Sequence, residues 1–179
     1  MKYLTLKWLQ KERACQPAVD WFKSQKDKKD LKSQLKACER DNHLDYFNWM
    51  IVRKLSRVDK VRYAVYAAEQ VIDIFEKKYP NDARPRKAIQ AAKKYIKNPS
   101  ANNKNAAADA ADAAYAAYAA YAAYAAYAAA YATADAAYAA DAAYAADAAY
   151  ATADAAYATA KKQMQLKICK YGLKLLEAK

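Results

Sequence analysis

The stretch KVRYAVYAAEQVIDIFEKKY, residues 60–79, decides the fold class. Its apolar residues recur at alternating spacings of three and four, which places them on one face of a helix. They are Val61, Ala64, Val65, Ala68, Val71, Ile72 and Phe75. The pattern predicts a single amphipathic helix over residues 60–79. We expect Asp59 to cap it and Pro80, which lacks an amide hydrogen, to end it.

Shorter helical patterns lie on both sides of this stretch. They cover residues 8–22 with an interruption at Pro17, residues 31–38, residues 41–55 and residues 86–97. Asn42 and Asp45 stand three apart, as in a capping arrangement, at the start of the third pattern. Pro85 suits the first turn of the fourth. The sequence up to about residue 98 therefore predicts several packed helices.

Composition supports an all-α fold, because Gly172 is the one glycine in 179 residues. Tight β-hairpins need residues that tolerate positive φ, and glycine is the main one. The absence of a glycine repeat excludes collagen, and the presence of only three cysteines excludes a disulfide framework. A hydrophobic fraction of 56% excludes general disorder.

Residues 106–160 contain only alanine, tyrosine, aspartate and threonine. Alanine has the highest helix propensity, so we expect helix here. One helix from residue 101 to residue 171 would be about 110 Å long, too long for a compact domain of this mass. We therefore predict a break near residues 131–135 and a helical hairpin packed on the N-terminal helices.

This interpretation divides one compact unit into four segments. They are a basic helical region (1–98), a linker (99–105), the Ala/Tyr/Asp-rich helices (106–160) and a C-terminal amphipathic helix (161–179). From residue 115 to residue 127 the tyrosines recur at every third residue, and so they point in several directions around the helix. They are either core residues or a binding surface, for which the candidates are Tyr115, Tyr118, Tyr121, Tyr124, Tyr127, Tyr138, Tyr144 and Tyr150.

The net charge of +12 is unevenly distributed along the chain. Residues 1–105 carry 25 Lys and Arg against 12 Asp and Glu, residues 106–160 carry six Asp and no cation, and residues 161–179 are basic again. A basic region could attract nucleic acid, an anionic membrane or an acidic protein. The tyrosine array argues against nucleic acid, because stacking surfaces are normally combined with Lys and Arg.

Cellular location is predicted from the cysteines and the apolar segments. Cys15, Cys38 and Cys169 are odd in number and lack C-x-x-C spacing, which is typical of reduced cytoplasmic thiols. Residues 113–134 carry no charge and are long enough to span a bilayer. Alanine is weakly apolar, however, and the tyrosine and threonine hydroxyls would face lipid on all sides. We expect a cytoplasmic protein with no membrane contact.

Residues suited to catalysis are scarce. His43 is the one histidine, and it lies between Asp41 and Asp45, which would suit either a general base or the start of a helix. There is no zinc motif, phosphate loop or nucleophile elbow. The aspartates of residues 106–160 are not spaced to bind a metal on one face. We therefore expect no enzyme activity, no cofactor and no metal.

Three cations, Arg84, Arg86 and Lys87, crowd the start of the helix predicted over residues 86–97. Free amide groups and the helix dipole favour an anion at such a position. The site could bind a phosphate or a carboxylate of a partner, and His43 and Asp45 are further candidates for binding an anion or a partner. Alternatively, Asp82 or another acidic neighbour already neutralises these cations.

Several motifs resemble one family. They are EKKYPNDARPRKAIQAA (residues 76–92) after the helix of residues 62–75, Ala14-Cys15 with Ala18 and Trp21, ACERD (residues 37–41) and the alanine-rich tail. This combination is similar to the immunity proteins of bacterial polymorphic toxin systems, in the immunity-protein-five-like family. The resemblance covers most of the chain and implies an all-α binding protein that neutralises a toxin.

The leading functional hypothesis is therefore a non-enzymatic protein that blocks a partner, most simply a cognate protein toxin or another effector. The first alternative is a protein that sequesters a small anionic ligand such as a nucleotide, through its tyrosines and Arg84, Arg86 and Lys87. The second is nucleic-acid binding by the basic region. The Tyr/Ala surface could equally be buried by formation of a homo-oligomer.

Overall fold

The computed structural model describes residues 4–25, 30–115 and 158–178, and in this part of the chain the regular structure is helical. The helices are α1 (Leu6–Lys11), α2 (Gln16–Ser24), α3 (Leu31–Arg40), α4 (Leu44–Lys54), α5 (Arg57–Glu69), α6 (Ile72–Lys78), α7 (Arg84–Lys97), α8 (Ala101–Tyr115) and α9 (Ala158–Glu177). The all-α prediction is thus confirmed. The predicted break near residues 131–135 and most of the predicted hairpin lie outside the described residues.

One hydrophobic core joins α1 to α7 with α9. Helices α4 and α5 lie at its centre, where Phe47, Ile51, Val61 and Tyr63 are fully buried. Helix α9 packs against α3, α4 and α5, and α8 packs along α7. The C-terminal amphipathic segment thus docks on helices of the N-terminal region, and its described helix runs from Ala158 to Glu177.

The lone glycine lies where α9 crosses α4 and α5. A Cβ atom at Gly172 would be 2.6 Å from Cγ2 of Ile51 and 2.7 Å from Cε2 of Tyr63. Cβ atoms in proteins essentially never lie this close to other atoms, so a larger side chain would force Ile51 or Tyr63 to shift. Only the hydrogen atom of glycine fits here. The close crossing explains why this position is glycine within an otherwise ordinary helix.

The single helix predicted over residues 60–79 is wrong, because the structure divides this stretch into α5 and α6. The side-chain amide of Gln70 donates to the Tyr66 carbonyl oxygen at 2.9 Å, and the Gln70 backbone N–H bonds one residue closer than in a helix, to Ala67 at 3.1 Å. Val71 then leaves the helical conformation, at φ −128°. Both Val71 and Ile72 remain buried, so the apolar spacing gave no sign of the break.

Asp59 is not the cap of α5. Ser56 is, since its Oγ accepts the Asp59 N–H at 3.3 Å and donates to Asp59 Oδ2 at 2.6 Å. Asp59 lies in the first turn instead, where it pairs with Arg62 at 2.7 Å. The helix therefore begins three residues earlier than we predicted.

Asn42 does not cap the start of α4 either. It has φ 61° and ends α3, and the next residue returns its N–H to the Cys38 carbonyl oxygen at 2.7 Å. This is the left-handed helix ending that asparagine tolerates better than most residues. His43 takes the cap position of α4 without a side-chain capping bond, and Asp45 lies in the first turn.

Pro80 and Pro85 separate α6 from α7 as predicted, with Pro85 in the first turn of α7. The next connection is shorter than we expected, because α8 begins at Ala101, inside the predicted linker of residues 99–105. Ser100 makes this possible, since its Oγ accepts the Asn103 N–H at 3.3 Å. The asparagines there belong to a helix start.

Candidate functional site

The structure brings the three cations of the predicted anion site to one helix start, but it pairs two of them. Arg84 faces Asp82 through two parallel contacts, Nε to Oδ1 at 2.9 Å and Nη2 to Oδ2 at 2.6 Å. The Arg84 backbone N–H also donates to Asp82 Oδ1 at 3.1 Å. The hydrogen bonds from Arg84 lower the pKa of Asp82, which keeps this carboxylate charged.

Arg86 joins α7 to α6. Its Nε donates to Oε1 of Glu76 at 2.7 Å and its Nη2 to Oε2 at 2.6 Å, while Nη2 also reaches Oδ1 of Asp73 at 3.1 Å. The hydrogen bonds from Arg86 hold the pKa of Glu76 below its usual value, and those from Glu76 raise the pKa of Arg86. This guanidinium therefore serves the packing of the two helices.

Lys87 is the third cation, and it is exposed and forms no ion pair within the described part of the chain. It lies on an open depression of about 660 Å³ that also includes Tyr79, Asp82 and Arg84. An anion entering this depression would meet one unpaired cation and would compete with Asp82 for Arg84. The cations of the predicted anion site are thus largely neutralised by carboxylates of the same chain.

His43 contacts aromatic rings. Its imidazole stacks on Tyr46 with centroids 4.4 Å apart and lies edge-on to Trp21 at 5.7 Å. The structure gives no hydrogen bond between His43 and either Asp41 or Asp45 in its described part, and Asp45 is exposed. The arrangement packs His43 against two aromatic rings at the start of α4.

Two of the motifs that resemble the immunity-protein family meet beside His43, the one that contains Trp21 and the one at residues 37–41. The indole Nε1 of Trp21 donates to Oδ2 of Asp41 at 2.9 Å, and Gln25 donates to the same oxygen at 3.1 Å. Arg40 adds a contact from Nε to Asp41 Oδ1 at 2.6 Å, and its hydrogen bonds are the main cause of the lowered pKa of Asp41. These residues join α2 to α3.

A different surface, which sequence reasoning missed, lies where α1 meets the end of α4 and the start of α5. It consists of Trp8, Trp49, Arg53, Lys54 and Lys60, and we call it the cationic–aromatic face. The two indoles meet edge-to-face with centroids 5.9 Å apart. The guanidinium carbon of Arg53 lies 3.9 Å from the Trp49 centroid, and Nζ of Lys54 lies 4.3 Å from the Trp8 centroid.

The cations of this face are partly desolvated. Burial is the main cause that lowers the pKa of Arg53, Lys54 and Lys60, and the charge of Glu12 opposes the shift in each case. The pKa of Lys60 is lowered further by the positive charges of Arg53 and Arg57. Positive charge is therefore concentrated here in partly buried side chains.

The cations of this face also differ from most other arginines of the chain in their ion pairing. None of Arg53, Lys54 and Lys60 forms an ion pair with any carboxylate in the described ranges. The six other arginines differ: Arg40, Arg62, Arg84 and Arg86 are paired, and Arg13 and Arg57 are exposed. The one signal in the sequence is Trp49 four residues before Arg53, a spacing that places them on one helix face.

The remaining candidate residues fall largely outside the described residues. Tyr115 is the last described residue of α8, and the other seven tyrosines of the predicted surface are among residues 116–157, as is most of the uncharged segment 113–134. The helices of the described ranges all fall short of the length and apolar character that a membrane span requires. The same residues contain no group of three potential metal ligands.

These observations define an all-α protein that exposes a cationic and aromatic surface. A family model described as Imm-5 like putative immunity protein matches residues 50–177, well over half of the chain. The chain belongs to this immunity protein family, as the resemblance of its motifs indicated. Searches of curated proteins and of solved structures found no match.

Proposed function

We propose that this chain is a non-enzymatic binding protein that neutralises a cognate protein toxin by covering part of its surface. Membership of the immunity protein family carries the proposal, and the match includes α5 to α9 and the end of α4. The simplest partner for a member of this family is a cognate toxin.

The architecture supports binding through a preformed surface. Leu9 of α1, Val52 of α4 and Val61 of α5 are buried in the shared core, so the outer faces of these helices are held in fixed relative positions. A surface that is ordered before binding loses little conformational entropy when a partner docks. Such a surface suits an inhibitor that must act as soon as toxin appears.

The nucleotide alternative receives less support from the geometry. Of its three cations, Arg84 and Arg86 already hold carboxylates, as described above. A saturating ligand stabilises a protein by RT ln(1 + [L]/Kd), so a thermal-shift screen with mono-, di- and cyclic nucleotides tests this function directly. We expect no shift.

The direct test is co-expression with the toxin domains encoded by neighbouring genes. We expect the chain to restore growth of a host that produces one of them, and to form a stoichiometric complex with it in size-exclusion chromatography. An inactive toxin variant is the control, because it does not affect growth and so reports complex formation alone. Absence of both protection and complex with all of these domains would refute the proposal.

A further inference from the structure

We propose that the cationic–aromatic face is the toxin-binding surface and that it docks on an acidic, carboxylate-rich patch of the toxin. This inference rests on the proposed function and adds the location of the contact and the chemistry of the partner. It is independent of the anion site predicted at Arg84 to Lys87.

The first argument is that the cations of this face carry charge that no salt bridge within the described residues neutralises. Arg53, Lys54 and Lys60 are partly buried, and no carboxylate forms an ion pair with them in the part of the chain that the structure describes. A partly desolvated cation is screened less by water and salt than an exposed one, so it attracts an incoming carboxylate more strongly. The face is therefore poised to gain from charged hydrogen bonds that the isolated chain does not make.

The second argument is the positioning of the charged groups. The indoles of Trp8 and Trp49 hold Lys54 and Arg53 by cation–π contacts, which limits the rotamers of two long side chains before binding. Tryptophan and arginine are also the residues most enriched among those that dominate binding energy at protein interfaces. Both indoles are half-buried, so each still offers apolar area to a partner.

The ring geometry favours a protein over nucleic acid as the occupant. Single-stranded nucleic acid binds by stacking bases on open aromatic faces. Here the chain's own cations cover one face of each indole, and in the edge-to-face pair the edge of one ring covers a face of the other. These contacts occupy ring faces on which bases would stack, whereas a carboxylate needs to reach only the cations.

The test compares two variants that remove the same charge from different faces. Arg53→Gln/Lys54→Gln changes the cationic–aromatic face, and Lys94→Gln/Lys97→Gln changes two exposed lysines of α7 outside any ion pair in the described residues. Titration calorimetry with the toxin domain bound by the wild-type chain measures both. We expect the first variant to raise Kd by about 100-fold, because the loss of each of the two cations should raise it roughly tenfold. The control should change Kd by less than about threefold.

Two further measurements keep the result interpretable. Circular dichroism melting establishes that both variants fold, and the single variant Lys54→Gln replaces the double variant if that one does not. The affinity of the wild-type chain should fall as ionic strength rises, and the variant should lose most of this salt dependence.

The outcomes separate the two proposals. If the wild-type chain protects against a toxin and the folded Arg53→Gln/Lys54→Gln variant binds it equally well, the toxin contact lies elsewhere and this inference is wrong while the proposed function stands. If the wild-type chain binds no toxin domain, the proposed function itself fails. Binding of a single-stranded oligonucleotide or bulk tRNA that is lost in the same variant, without toxin binding, would overturn the choice of a protein partner.

Discussion

The hydroxyl of Tyr63 on α5 donates a hydrogen bond to Oδ1 of Asn48 on α4 at 2.7 Å, with both side chains buried. This contact joins the two central helices of the core through polar atoms that water does not reach. A buried polar group is costly when it loses a partner, so the pair fixes how α4 and α5 face each other.

Tyr63→Phe should therefore lower the free energy of unfolding by about 1–2 kcal/mol, because it removes a donor from a buried carbonyl oxygen. Urea denaturation measures the change. Tyr95→Phe is the matched control, since Tyr95 is also buried but has no hydroxyl hydrogen bond within the described residues, and it should shift stability by less than about 0.5 kcal/mol. Equal effects of the two substitutions would contradict the assigned role of the pair.

Gly172→Ala should destabilise the protein although alanine favours helix by about 1 kcal/mol over glycine. The added methyl group would overlap Ile51 and Tyr63, and overpacking of a core costs about 1–3 kcal/mol. Lys170→Ala, on the exposed side of α9, is the control and should change stability little. A raised melting temperature for Gly172→Ala would show that α9 lies farther from α4 than described here.

The ion pair of Glu76 with Arg86 should make a pH-dependent contribution to stability. Because the folded pKa of Glu76 is lowered from an ordinary value of 4.5, the contribution is fully present above that value and is lost as the pH falls through the lower folded pKa. Both side chains are about one-third exposed, so we expect about 0.5–1 kcal/mol at neutral pH.

Comparison of the wild type with Glu76→Gln in urea denaturation across this pH range measures the contribution. The difference should shrink in acid, and at neutral pH it should also disappear when Arg86→Met is present in both chains. A difference that persists in the Arg86→Met background would mean that Glu76 stabilises the fold by other contacts.

Thiol reactivity should distinguish the three cysteines. Cys15 is exposed, whereas Cys38 and Cys169 are fully buried, and burial raises the pKa of the Cys38 thiol. A disulfide reagent added to the native protein should modify one thiol quickly and the other two only on denaturation. Cys15→Ser should remove the fast reaction, and rapid modification of two or more thiols would argue against the described packing.

Local sequence signals predicted much of the fold. Pro80 and Pro85 correctly marked the end of α6 and the start of α7, because proline acts through its own missing amide and fixed φ. The failures involve side chains that compete for backbone groups. Gln70 ends α5 by donating to the Tyr66 carbonyl oxygen, and Asn42 ends α3 in a left-handed conformation. From the sequence alone, either residue could equally have stood elsewhere in a helix.

The candidate site was harder to predict, because it joins residues far apart in the chain. Nothing in the residues around Trp8 indicates that this ring packs against Trp49 of α4. Conversely, Arg84 and Arg86 stand out in the sequence but are paired with Asp82 and Glu76 in the structure. Of these motif residues, Arg86 holds α7 against α6, and neither arginine belongs to the surface that we propose for toxin binding.

The core can be completed only after α9 has been synthesised. Ile168, Cys169 and Leu173 are buried against helices that the ribosome completes much earlier. Until α9 emerges, the nascent chain holds α4 and α5 with an apolar surface uncovered. A translation product that stops before Ala158 should consequently expose that surface and be an early target for cellular proteases, so that only finished chains accumulate.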